Sequence, residues 1–205
     1  MLVRCVVVGI SHFHDLTLPF VEGLAENNQE LNIAVIDNES EPPYPESDAY
    51  ELIRTARCGY GQALNIGADD AWFNWLLCCN NDCICDGNIM GIIKRLSDDT
   101  IYGNAWKLDY SGMERGLPAV VDSAYLLIPR KIWHAIGPFD VAMDAAFEEI
   151  DYQIRALDAG FRVDVADLPI THLSLHTRHE LKDYWKRWGE TERKFLEKYP
   201  ARKYD

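Results

Sequence analysis

The sequence predicts an α/β protein: a mostly parallel sheet flanked by helices and closed by a C-terminal helix. Three observations predict it. Short apolar runs recur at Val3–Ile10, Leu31–Ile36 and Trp75–Cys79, each too short for a helix and bounded by polar residues, as strands buried on both faces are. Between them lie stretches with apolar residues at helical spacing, long enough for right-handed crossovers. The second and third runs stop at amides and carboxylates, which lines polar loops along one rim, where open α/β sheets bind ligands.

Size and charge narrow the function. The 205 residues allow one substantial domain with its own core. No apolar run approaches the roughly 20 residues of a membrane span, and the N-terminus runs straight into a strand pattern, so a soluble, cytoplasmic chain without a signal peptide is expected. Of six cysteines, four cluster at Cys78, Cys79, Cys83 and Cys85. Their spacing fits no paired-knuckle zinc pattern, and reduced, buried thiols are expected, with zinc as the lesser alternative. A net charge of −13 repels nucleic acid, so a phosphate-bearing partner must be met by local positive charge or by a metal.

Taken in order, the first strand gives way to the polar and aromatic Ser11–Asp15, then to a helix over Leu16–Leu24 with Asp15 or Thr17 placed to cap it and Pro19 in its first turn. The second strand ends in Asp37-Asn38-Glu39-Ser40. Asp37 reads either as a turn residue or as a rim carboxylate able to accept bonds from a ribose or base edge. No Gly-x-Gly-x-x-Gly or Gly-Lys-Ser/Thr loop follows, against a dinucleotide enzyme or a P-loop protein. Glu41–Pro45 is an extended loop, and Glu51–Thr55 leads to Gly59-Tyr60-Gly61, whose helix runs by spacing through Ala63, Ile66 and Ala71 to Trp72. The third strand stops at Asn80-Asn81-Asp82. That is an ordinary Asn/Asp turn or, with no Lys or Arg beside it, a seat for a hard divalent cation.

Beyond it, a helix is expected over Asn88–Leu96, an irregular stretch over Ile101–Gly116, and a strand over Val120–Ile128 stopped by Pro129. The glycine-punctuated irregular stretch, with Trp106 and Tyr110, is either a stacking surface for a sugar or a plain hydrophobic cover. After the turn Gly137-Pro138-Phe139-Asp140 a helix opens with Phe147-Glu148-Glu149-Ile150-Asp151. Acids are favoured in a first turn, and Asp151 pairs with Arg155 at helical spacing, which leaves Glu148 and Glu149 without such a partner. Gly160 ends that helix before an alternating edge strand through Val165. His172 follows, and on spacing alone it reads as a structural histidine.

The order Val35-Ile36-Asp37-Asn38-x-Ser40, then Gly59-Tyr60-Gly61-x-Ala63-x-Asn65-x-Gly67, then a buried strand ending Asn80-x-Asp82, resembles the family 2 glycosyltransferases of GT-A fold, a Rossmann-related architecture. The resemblance covers nearly the whole chain. It implies inverting transfer of a sugar from a nucleotide-diphosphate donor to an acceptor hydroxyl, carbohydrate or other, with Mn2+ or Mg2+ as cofactor. By that likeness Asp37, Arg57, Asn65 and Asn80 bind the nucleotide sugar, and Asn80-Asn81-Asp82 stands where the family has its metal-binding Asp-x-Asp. Asn80 replaces the first acid, as in rhamnosyltransferase-like members, and Asp82 is left for the metal. Glu149 matches the general base, one methylene longer than the family's usual Asp, and His172, chosen over His176, matches a histidine that helps hold the metal or pyrophosphate. Residues 1–100 would then form the donor half, 101–176 the acceptor half and 177–205 an amphipathic C-terminal helix. A nucleotidyltransferase is the alternative within enzymes, although His12-Phe13-His14 lacks its glycine- and basic-rich loop; an idle sugar-nucleotide or carbohydrate-binding protein is the alternative outside them. In the tail, Leu181, Trp185, Trp188, Phe195 and Tyr199 follow helical spacing among basic residues, either packing on the domain or making a weak contact with a membrane surface.

Overall fold

The computed structural model describes residues 1–69, 72–174 and 183–201. Its main sheet is built from β1 (Val3–Gly9), β2 (Leu31–Asn38), β3 (Glu51–Thr55), β4 (Trp75–Asn80), β6 (Thr100–Gly103), β9 (Tyr125–Pro129) and β10 (Arg162–Val165), in the order β10-β6-β9-β4-β1-β2-β3. β1, β2, β3 and β4 run parallel, and β9 is antiparallel to both of its neighbours. β1 and β9 are buried along their whole length, which is why their sequences do not alternate. A second ribbon pairs β5 (Cys83–Cys85) with β11 (Ile170–His172), and a third pairs β7 (Trp106–Lys107) with β8 (Val120–Val121).

Helices cover both faces. On one, α1 (Leu18–Asn27) buries Phe20, Val21 and Leu24 with Cys5, Cys79, Cys83 and Cys85, beside the short α3 (Met90–Ile93). On the other, α2 (Tyr60–Ala68), α4 (Arg130–Ile136) and α5 (Glu148–Asp158) enclose Val6, Ile36, Leu76 and Tyr152. α2 lies hard against β1 because Gly67 has no Cβ; one added there would stand 2.4 Å from Val6 Cγ1. Phe195 of the last helix, α6 (Tyr184–Lys198), and Tyr199 just past its end pack against Tyr110, Phe147, Ile150 and Ile154 in a third cluster.

The structure corrects several expectations. The single strand over Val120–Ile128 is two, because the chain leaves β8 to let Asp122 N–H bond Ala105 O, and Ala124 N–H bond Asn104 Oδ1, before it enters the main sheet. The stretch from Ile101 contains β6, a buried strand too short to display a period. The helix over Asn88–Leu96 is one α turn extended by i−3 bonds at Arg95 and Leu96. α2 ends at Ala68; Ala71 lies outside the described residues, and Trp72 stays exposed, with the Arg130 guanidinium 5.1 Å from its ring centre. In the polar and aromatic Ser11–Asp15, Ser11 and His12 are left-handed, and a π-type turn spans Phe13–Thr17. Neither Asp15 nor Thr17 caps α1, since the Thr17 hydroxyl is used elsewhere. In the tail, Leu181 lies outside the described residues, and Trp185 is 63% exposed rather than packed. Five cysteines are buried, Cys58 is half-buried, and all six are free thiols. No helix among the described residues is long and apolar enough to cross a membrane.

Candidate active site

Register fixes the rim. Gly9 stands opposite Asp37 and Val8 opposite Asn80, so three parallel strands release their chains at one level. Four segments converge there: the turn after β4, the end of β11, the stretch between β8 and β9, and the first turn of α5.

Asp82 and His172 come together. His172 Nε2 lies 3.1 Å from Asp82 Oδ1 and 3.4 Å from Asn80 Nδ2, with its Nδ1 3.3 Å from Ser174 Oγ. The pairing of β11 with β5, which sets His172 opposite Cys83, makes this meeting possible, and Leu173 N–H fastens it to Asp82 O at 2.8 Å. A cation with bonds of about 2.1 Å at right angles to a carboxylate oxygen and an imidazole nitrogen needs the two roughly 3.0 Å apart, so the observed pair fits one. Coordination would take the Nε2 lone pair and leave Nδ1–H to Ser174 Oγ. Among the described residues no three His, Cys, Asp or Glu side chains form a metal cluster, so the fit rests on Asp82 and His172, with the Asn80 amide adjacent. No cluster of zinc-binding thiols exists among them either; burial pushes the Cys83 thiol up, away from ionisation.

Asp37 is buried, and both of its oxygens accept main-chain N–H groups of its own loop, from Ser40 and Tyr44, each at 2.9 Å. It serves the turn directly, and a nucleotide would have to share those oxygens. Behind the rim, Asn81 Nδ2 donates to Thr17 Oγ1, Thr17 to Tyr44 and Tyr44 OH to Ser11 O, at 3.0, 3.0 and 2.6 Å. Asn65 is likewise engaged: its amide clasps Phe139 N–H and C=O at 2.9 Å each and ties α2 to the turn ahead of α5. Arg57 stands exposed just before α2, in the field of Arg187, Asp144 and Glu39; partial burial first, and the Arg187 guanidinium second, lower its pKa. Arg187 reaches Asp144 at 2.7 Å, so α6 contributes to this corner.

The two acids opening α5 face different ways. Glu148 is buried against α2, where a Cβ at Gly61 would meet its own Cβ at 3.1 Å. Glu149 points toward β7, and Lys107 Nζ lies 3.4 Å from its Oε1 and 3.6 Å from Asp122 Oδ1. The sequence suggested no ion partner for Glu149; the structure supplies one, from a stretch read as irregular. Gln153, fully buried, fixes this end of α5 by accepting Val121 N–H at 2.7 Å and donating to Val121 O at 2.9 Å. From Asp122 the chain passes to Ala124, whose carbonyl accepts Asn80 N–H at 3.0 Å, so one stretch of chain links the Glu149 and Asp82 corners. Asp151 differs from expectation too: it is no surface partner of Arg155 but a fully buried carboxylate that also receives Lys198 Nζ at 2.6 Å and Tyr199 OH at 2.8 Å. Neither Lys107 nor Gln153 carries a sequence signal, because each owes its role to a strand of two residues.

No family model and no curated protein sequence matches the chain. Solved structures match its fold. The mannosyltransferase PcManGT from Pyrobaculum calidifontis, in complex with GDP-Man and Mn2+, aligns with TM-score 0.61 at 16% identity, over 80% of this chain and 54% of that one. The fold is GT-A-like. S. aureus TarS 1-349 in complex with UDP aligns with TM-score 0.60 at 12% identity over 96% of this chain and 66% of that one, and GalNAc-T7 with UDP, GalNAc and Mn2+ with TM-score 0.61 at 13% identity over 97% and 51%. At these identities the likeness is one of fold, and the GT-A-like chain spans about half to two thirds of the length of these three structures. Two of those structures contain Mn2+.

Proposed function

We propose that this chain is an inverting glycosyltransferase of the family 2 type, acting in the cytosol on a nucleotide-diphosphate sugar and an acceptor hydroxyl. The observation that carries the reading is the approach of His172 to Asp82 at the sheet rim, from segments far apart in the chain. Asp82 and His172 would hold a divalent cation beside Asn80, and a cation bound there supplies the positive charge that an acidic protein otherwise lacks for a departing diphosphate. Arg57 lies at the corner where the nucleotide enters, and Asp37 holds the loop on which the base and ribose rest. Glu149 takes the proton of the acceptor hydroxyl. The acceptor oxygen forms its bond to the anomeric carbon from the face opposite the diphosphate, and the bond to the leaving oxygen breaks with its electron pair, which inverts the centre.

The test is a thermal-shift panel of UDP-, GDP-, dTDP- and CMP-sugars with Mn2+, with Mg2+ and with chelator, since a ligand of the native state alone raises the melting temperature. A donor that stabilises only with the cation, and an Asp82→Asn variant that loses that dependence, are expected. Equal stabilisation in chelator and in Mn2+ would sink the assignment of Asp82 and His172.

A further inference from the structure

We infer that Lys107 is a positioning residue for the base: by holding Glu149 Oε1 it leaves Oε2 as the oxygen that meets the acceptor, and it keeps Asp122 from displacing that carboxylate. The inference rests on the glycosyltransferase reading. Glu149 is 12% exposed at its side chain, Lys107 28% and Asp122 39%, so the ammonium joins an inner carboxylate to an outer one. Oε1 is the only Glu149 side-chain oxygen bonded by a described residue. Successive residues of a strand face opposite ways, and in β7 the exposed Trp106 turns out while Lys107 turns in toward α5. The strand is pinned by pairing Trp106 with Val121 and Lys107 with Val120, and α5 is pinned to the same Val121 by Gln153. Ammonium and carboxylate are therefore delivered to each other by two elements locked to one residue.

Stability alone gives such a pair little purpose, since partly exposed ion pairs contribute little to it. Its effect on orientation is larger. Glu149 and Asp122 both lie within 3.6 Å of the same nitrogen. Without its charge they repel, and the freer, longer Glu side chain turns. In the transfer step Oε2 receives the hydroxyl proton, the acceptor oxygen bonds to the anomeric carbon, and the diphosphate leaves with the electron pair of the broken bond. Lys107 neither gains nor loses a proton. Its loss should slow chemistry and spare donor binding.

The experiment measures release of nucleoside diphosphate from the donor that the thermal panel selects, in wild type, Lys107→Met, Lys107→Arg, Glu149→Gln and the Lys107→Met/Glu149→Gln double variant. Lys107→Met is expected to lower kcat about tenfold to a hundredfold, as misplacement of a reacting group does, with the donor KM within about twofold of wild type. Lys107→Arg, which preserves charge and protects against a folding defect, should recover most of that loss. The double variant should be no slower than Glu149→Gln, because a positioning residue has nothing left to position. Wild-type kcat in Lys107→Met, an Arg variant as slow as the Met variant, or losses that multiply in the double variant would each overturn the inference while the glycosyltransferase reading stands. A wild-type protein that releases no diphosphate from any donor overturns the reading, and the inference with it.

Discussion

Replacing Asp151 by Asn should unfold this protein at a markedly lower temperature, although a sequence view assigns Asp151 to an ordinary helix-surface pair worth less than about 1 kcal/mol. The side chain is 0% exposed, and all three of its partners are donors: Arg155 Nε at 2.9 Å, Lys198 Nζ at 2.6 Å and Tyr199 OH at 2.8 Å. Burial first, and the Asp151 carboxylate second, raise the Tyr199 phenol, which therefore remains a donor. An amide cannot serve this constellation, because it carries one acceptor oxygen and turns its N–H groups toward another donor, leaving Arg155 short of its counter-charge and Lys198 held by Asp140 alone. Removing one partner of a buried pair costs about 3–5 kcal/mol. For a chain of this size each kcal/mol lowers the melting temperature by about 2–4 °C, so a fall of roughly 6–20 °C is expected. Thermal and urea melts of Asp151→Asn, with Tyr199→Phe as a milder companion losing about 1.5–3 kcal/mol, measure it. An Asn variant melting within about 2 °C of wild type would refute the argument that this carboxylate holds α5 and α6 together.

Glu149→Gln should keep donor affinity and lose at least about a hundredfold in turnover, and Glu149→Asp should retain measurable activity; an active Gln variant beside a stably folded but dead Asp151→Asn would move the base two residues along α5. Deleting the chain from Asp183 onward removes Tyr184, Phe195 and Tyr199 from the packed surface, so a lower melting temperature and exposed apolar surface by dye binding are expected, and unchanged melting with lost liposome binding would recast α6 as a membrane face. Gly67→Ala should cost about 1–3 kcal/mol in urea melts, because its methyl would stand 2.4 Å from Val6 Cγ1 in the middle of the core; a variant as stable as wild type would mean that α2 can shift freely on β1.

The sheet's centre was legible because β1, β2 and β4 are runs of residues whose burial leaves no choice of partner face. The rim was legible for the same reason: past Val8 and Cys79 the apolar runs give way to polar residues. Reading failed where elements are shorter than any period. β6, β7 and β8 are four, two and two residues long, and nothing in Thr100–Gly103 or Trp106–Lys107 declares a strand until Leu126 and Val121 supply the other edge. The meeting of Asp82 with His172 was anticipated only through family likeness, since no local pattern announces that Cys83–Cys85 is a strand awaiting β11. Asp151 shows the opposite hazard, for its helical spacing to Arg155 was read correctly while its burial beneath Tyr199 was invisible.

The antiparallel strand at the sheet's middle has a consequence for how the protein is made. β4 is apolar or thiol-bearing from Trp75 to Cys79, and its second edge stays unpaired until Tyr125–Pro129 has left the ribosome. At about 5–20 residues per second the nascent chain carries that open edge for seconds. A translation product cut short within that interval would present a flat hydrophobic strand to its neighbours and aggregate. His172, delivered by a still later strand, arrives after the sheet's central pairing has been made. The Asp82–His172 pair, and with it the cation site proposed there, is therefore completed only after the central strands have paired.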